Sequence, residues 1–269
     1  MSTFRYAMCL AAVFIALISN AGVIEGAGKI QDNSFLIEEA YNQEPGVIQH
    51  IQTFQYLEDS KTWGYTFTQE WPVPGLTHQF SYTIPINRTE SPRKTGIGDI
   101  ALNYRYQLVF KEAVALSPRF SLILPTGDYK RGLGTGALGF QANIPLSVEL
   151  SDKWVTHWNM GSTFTPGSKE AGGEKGDTLG FNFGTSFIYL AEENFNLMLE
   201  AVWNSMESIE ADGAKTRADT FFISPGMRFA INFKSGLQVV PGIAVPIGIG
   251  PSDGEYGVFA YLSFEHPLF

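Results

Sequence analysis

Few residues in this chain can do acid–base or nucleophilic chemistry. Its 269 residues include four histidines, His50, His78, His157 and His266, and one cysteine, Cys9. A hydrolytic site needs a nucleophile and a base within hydrogen-bond reach. His78 and Ser81 are three residues apart, so in an extended chain they point to opposite faces. His157 shares a face with Asn159 and Gly161 but not with Ser162, and neither histidine begins a His-x-Ser pattern. A serine on a neighbouring strand stays open as a partner. The segment GDYKRGLGTGALG (Gly127–Gly139) has the glycine content of a phosphate loop, but the order of Gly, then Lys, then Ser/Thr that such a loop needs is missing. It is followed by FQANIPLSVEL, a strand pattern, where phosphate binding needs a helix N-terminus. A mobile external loop fits better. The sequence predicts no metal site and no cofactor.

Charged residues say more. Glu70, Asp99, Arg105, Lys111, Arg119, Glu149, Glu200 and Arg228, together with His157, sit at polar positions within otherwise apolar stretches. The stretches alternate with period two. In GDIALNYRYQLVFK (Gly98–Lys111), Ile100, Leu102, Tyr104, Tyr106, Leu108 and Phe110 share one face. Asp99, Asn103, Arg105, Gln107 and Lys111 share the other. Such strands have one greasy and one wet side. A charge on a lipid-facing side costs about 2–4 kcal/mol for Arg or Lys at the bilayer midplane, so the nine residues are assigned to a lumen. Two roles remain open for them: a mutually satisfied network that fills the lumen, or a polar lining that orients a solute. The mixed signs disfavour strong selectivity for anions or cations.

About twelve such segments can be delimited, starting near Val47, Thr62, Thr77, Gly96, Val114, Leu138, Lys153, Thr178, Asn194, Arg217, Leu237 and Tyr256. Short connections alternate with longer ones from Asn87, Pro125, Pro166 and Glu207. An even strand count with short periplasmic turns and longer extracellular loops marks an outer-membrane barrel. The expected fold is therefore all-β: a closed transmembrane antiparallel β-barrel of about twelve strands spanning residues 47–269. Residues 1–21 read as a signal peptide, with Arg5 ahead of an apolar run too short to cross a bilayer. Cys9 lies within it, so no disulfide or cysteine–zinc site is expected beyond it. Residues 22–46 form an N-terminal periplasmic or lumenal segment. There NSFLIEEAYNQE (Asn33–Glu44) suggests a short amphipathic helix capped by Asn33, acting as a plug, or else a flexible tail. The net charge of -9 is the wrong sign for a nucleic-acid partner. The expected location is the bacterial outer membrane. The expected partners are outer-membrane lipid, the barrel assembly machinery and a small-molecule solute.

The chain closes on VFAYLSFEHPLF. A barrel pairs its last strand with its first, and Phe264 and the final Phe269 resemble the assembly signal of outer-membrane proteins. Prolines inside strands cannot donate to the ladder, and a closed barrel has no free edge, so each must mark a bulge, kink or boundary. Pro225, Pro241 and Pro246 cluster with glycines on two neighbouring strands. Either they shape curvature, or they weaken the wall enough for an apolar solute to leave sideways.

Four segments carry a family resemblance: DNSFLIEEAYNQEPGVIQHI (Asp32–Ile51), GIGDIALNYRYQL (Gly96–Leu108), LPTGDYKRGLGTGALGFQ (Leu124–Gln141) and YLSFEHPLF (Tyr261–Phe269). They resemble the family labelled meta-pathway of phenol degradation, outer-membrane proteins some of which are encoded beside aromatic-degradation genes. The resemblance implies a barrel and a channel or transporter for passive uptake of small hydrophobic or aromatic molecules. An outer-membrane barrel enzyme of lipid-hydrolase type and a non-transport structural barrel are the alternatives.

Overall fold

The computed structural model describes residues 34–73, 75–90 and 93–267. The residues expected to form the signal peptide, the Asn33 cap and the terminal Phe269 lie outside this range. Within it, twelve antiparallel strands form one closed barrel. They are β1 (Val47–Leu57), β2 (Trp63–Pro72), β3 (His78–Glu90), β4 (Arg93–Ile97, Ile100–Tyr106 and Val109–Lys111) and β5 (Val114–Leu116 and Arg119–Leu124). Then follow β6 (Gly139–Ser151), β7 (Trp154–Lys169), β8 (Lys175–Glu192) and β9 (Phe195–Ile209). The last are β10 (Lys215–Phe229 and Ile231–Asn232), β11 (Gln238–Ala244 and Ile247–Gly248) and β12 (Gly257–Pro267). The barrel closes by an unbroken register between β1 and β12, from Val47 opposite Pro267 to Leu57 opposite Gly257.

The alternation sorts the side chains as the period requires. Phe80, Leu102, Phe120, Ile144, Met160, Phe183, Leu199 and Ile243 are exposed on the outside, forming a lipid-facing belt. Gln79, Asn103, Arg105, Ser147, His157, Glu200, Ser224 and Arg228 are buried inside. One sector of the interior departs from the polar pattern. Ile51, Ile188, Leu190, Met198, Val240, Phe259 and Tyr261 point inward and form an apolar cluster with Phe35.

One end of the barrel carries only short turns, such as Glu112–Ala113 and Asp152–Lys153. At the other end, most of the expected loops are extended hairpins. Asn87, Arg88, Thr89 and Glu90 pair with Gly96, Thr95, Lys94 and Arg93, so the β3–β4 excursion is nearly all strand. β8 runs for 18 residues, longer than the roughly 9–11 that cross a membrane, and so projects beyond it. Polar residues there keep pairing because a ladder satisfies their amides as well as water would. Two irregular loops remain there among the described residues: 125–138, which holds the 3-10 turn Tyr129–Arg131, and 249–256, which holds the 3-10 turn Gly250–Ser252.

The prolines fall at interruptions in the ladder. Pro118 separates the two parts of β5, and Ser117 N donates to Pro145 O opposite. Pro85 O accepts from Gly98 N where β4 breaks. Pro246 separates the two parts of β11, and Pro241 faces the break in β10 at Ala230.

Candidate functional site

The lumen is occupied by the chain's own N-terminal segment. Residues 34–46 take an extended, bent path and form no helix, unlike the amphipathic helix that their pattern suggests. The physical reason is that lumen side chains capture the amides that a helix would use internally. Phe35 N and Leu36 N donate to the two Glu200 carboxylate oxygens, each at 2.9 Å. Glu38 N donates to Asn159 Oδ1 (3.0 Å), Ala40 N to Ser147 Oγ (2.7 Å), Asn42 N to Gln107 Oε1 (3.0 Å) and Gln43 N to Gln79 Oε1 (2.7 Å). The Ala40 carbonyl accepts from Ser117 Oγ and Gln107 Nε2. Arg105 donates to the carbonyls of Glu39 and Tyr41.

The apolar side chains of this plug are seated by glycines. Phe35 packs against Phe259 and Tyr261 at centroid distances of 5.6 and 5.7 Å. A Cβ on Gly242 would lie 2.4 Å from the Phe35 ring, one on Gly226 2.5 Å from it, and one on Gly184 2.2 Å from Ile37 Cδ1. The glycines beside the prolines of β10 and β11 are therefore a socket for Phe35. The wall there is closed: Val245 N donates to Pro225 O and Gly257 N to Pro246 O, both at 3.0 Å.

Of the nine residues assigned to the lumen, five are buried around the plug. Arg105 lies 3.6 Å from Glu39 and 4.0 Å from Glu70, and Gln79 Nε2 donates to Glu70. Such burial of charge is tolerable because each group has a partner. Glu200 clamps the plug, and Arg228 is near enough to Glu200 and His157 to act on both. Arg119 reaches Glu38 at 3.2 Å, and Glu149 lies within electrostatic reach of Tyr41. Two residues differ from the expectation. Lys111 ends a strand at the short-turn rim and is exposed, so its parity does not place it in the lumen. Asp99 accepts from Gly127 N, Thr135 N and Thr135 Oγ1 at 2.9, 2.7 and 2.8 Å, which makes it the anchor of loop 125–138.

The neighbouring-strand serine that sequence leaves open is Ser147, whose Oγ lies 2.7 Å from His157 Nδ1. The pair has the spacing of a nucleophile and base. Its hydroxyl, however, also receives the Ala40 amide and is fully buried beneath the plug. In this arrangement the pair holds the plug and has no open face for an acyl substrate.

Beside the plug a cavity of about 430 Å³ remains. One wall is polar, with Thr68, Thr83, Asn103, Gln141 and Asn182 and the charged Glu70 and Arg119 among them. The other is apolar, with Leu36, Ile37, Ile51, Val202 and Tyr261. Sequence parity locates the polar wall. It misses the apolar one and the amide clamps, whose only signal is an apolar residue breaking the wet parity, such as Ile188 between Ser186 and Leu190.

The architecture matches solved outer-membrane barrels. The COG4313 outer membrane channel from Pseudomonas putida F1 aligns at TM-score 0.65 and 15% identity, covering 84% of this chain and 97% of that one. The NanC porin aligns at TM-score 0.53 and 8% identity, covering 81% and 100%. No curated protein matches the chain. These likenesses establish the fold as a twelve-strand barrel of the bacterial outer membrane. A family profile covers residues 41–245, from the plug into β11, and on that match the chain belongs to the family described as "Putative MetA-pathway of phenol degradation".

Proposed function

We propose that this barrel is a channel for passive passage of small molecules, and that its solutes are apolar or aromatic with few polar groups. The observation that carries the reading is the two-sided cavity beside the plug. Arg119 and Glu38 are paired there, so the surface open to a solute is mostly hydroxyls, carboxamides and apolar side chains. A ring would lie against Leu36, Ile37 and Tyr261 while a hydroxyl is met by the opposite wall, the usual design of a small-molecule site. Passage requires the plug to move, because Glu200, Ser147 and Arg105 hold it across the lumen. The family and the channel-type fold agree with this reading.

The test is uptake by cells that carry or lack the gene, with simple phenols and aromatic hydrocarbons set against sugars of similar size. Faster uptake of the aromatic set is expected, with little liposome swelling for the sugars. Equal uptake in both strains, with no conductance in planar bilayers, would sink the channel reading. The lipid-hydrolase alternative makes a separate demand: Ser147→Ala must abolish ester hydrolysis by the purified protein. We expect no such activity in the parent.

A further inference from the structure

Two histidines meet on the outer face of the barrel's closing seam, remote from the lumen. His50 on β1 and His266 on β12 point outward, since Gln49, Ile51, Ser263 and Glu265 take the inward parity. Their Nε2 atoms are 3.3 Å apart, with the rings stacked at 5.4 Å and 20°. They lie close to the short-turn end, within a band of rings that includes Phe67, Trp71 and Tyr82. The contact of the His266 ring with the Pro267 carbonyl, at the end of β12, is exposed.

We propose that His50 and His266 form a site for a divalent transition metal of the zinc or copper class, which clips the first strand to the last. Four observations support it. Two nitrogens bound at about 2.0–2.1 Å to a tetrahedral zinc stand about 3.3–3.4 Å apart, which is the observed spacing. As a direct hydrogen bond the contact is long, beyond the roughly 2.7–3.2 Å of ordinary protein N–H bonds. His266 Nδ1 lies 2.9 Å from the Pro267 carbonyl, which can only accept, so Nδ1 carries the proton and the Nε2 lone pair is free to ligate. A backbone carbonyl holding the far ring nitrogen is the usual support of a ligating histidine. Finally, the two residues are 216 positions apart, and a clip that closes a long loop gains most from loop-closure entropy.

Among the described residues no group of three or more His, Cys, Asp or Glu side chains gathers around a metal position. The imidazoles would supply two ligands and water the rest. An all-nitrogen pair selects zinc, copper or nickel over magnesium or calcium.

The experiment uses the untagged, chelator-treated full-length barrel in detergent, titrated with zinc chloride during urea unfolding. At free zinc about 100 times its dissociation constant, the folded-to-unfolded ratio should rise about 100-fold. His50→Gln and His266→Gln should each remove that response, while His78→Gln keeps it, and magnesium should give none. Electron paramagnetic resonance of the copper(II)-loaded parent should show two nitrogen ligands, a readout that needs no variant to fold. A parent without a zinc response, a response that survives both substitutions, or a copper spectrum lacking the two-nitrogen pattern would each overturn the site.

Discussion

Two carboxylates illustrate how much single side chains decide here. Glu200 is buried and accepts both the Phe35 and Leu36 amides. Glu200→Ala strands those donors, and a hydrogen bond to a charged group is worth about 1.5–3 kcal/mol. The variant should exchange the Phe35 and Leu36 amides at least tenfold faster and raise single-channel conductance, with the barrel still folded. Unchanged exchange would show that the clamp does not hold the plug. Glu255, outside the strands, accepts from Asp59 N (2.8 Å) and Ser60 N (3.0 Å). Burial pushes its carboxyl up, but these amides more than offset that and hold it below the usual range. A depressed carboxyl stabilises the fold above the unfolded value of about 4.3, and the contribution is lost as pH falls through the folded value. Protection of the Asp59 and Ser60 amides should therefore drop on acidification below about pH 4, and Glu255→Gln should flatten that dependence. The roles of these two residues differ in how legible they are. Glu200 could be assigned to the lumen by parity, but nothing in the sequence pairs it with amides 164 and 165 positions away.

At the scale of elements, strands were readable, and a plug was one of two readings of the N-terminal segment, but the conformation of that plug was not readable. Each expected strand start lies within three residues of the observed one, the widest gaps being Gly96 against Arg93 and Thr178 against Lys175. Period two is a local property of strands, enforced by lipid on one side and polar contact on the other. The plug lacks that constraint. Its apolar spacing resembles a helix, but its conformation is set by lumen acceptors contributed by β3, β6, β7 and β9 and by Gln107 at a break in β4. The glycines of the Phe35 socket were legible only as weakness in the wall, because their partner comes from a different part of the chain. Gly242→Val places a side chain where the Phe35 ring sits, 2.4 Å from it. It should expel the plug's first turn of chain, which new proteolytic cleavage before residue 40 would report. Phe35→Ala should instead leave the socket empty and cost about 3–5 kcal/mol of plug docking, the usual loss for a core phenylalanine. If neither change alters protease sensitivity, Phe35 does not anchor the segment.

The whole molecule has a polarity that the closed ladder alone does not orient. One rim has two- to five-residue turns, while the other carries extended hairpins and the loop anchored by Asp99. Barrels of this class turn tightly in the periplasm, where assembly leaves them, and extend outward from the cell. That assigns the hairpin rim to the outside and the mouth entered by the plug, near Val47 and Pro267, to the periplasm. The chain's acidic balance, with 27 carboxylates against 18 basic side chains, does not choose between the two orientations. Cysteine labelling does, because the only native cysteine, Cys9, lies in the segment expected to be removed. Arg93→Cys, Lys130→Cys and Ala211→Cys all lie at the hairpin rim and should react with a membrane-impermeant maleimide on intact cells. Asp152→Cys, at the opposite rim, should react only after the outer membrane is permeabilised. The reverse pattern would invert the barrel and make the plug a gate on the outer surface, so that a solute would have to displace it before reaching the cavity. With the hairpin rim outward, a solute of the proposed channel would instead enter past loop 125–138, meet the cavity first, and find Leu36 and Ile37 as its floor. On that reading the plug would act on exit into the periplasm, and Glu200→Ala should speed solute release in uptake assays without changing which solutes are admitted.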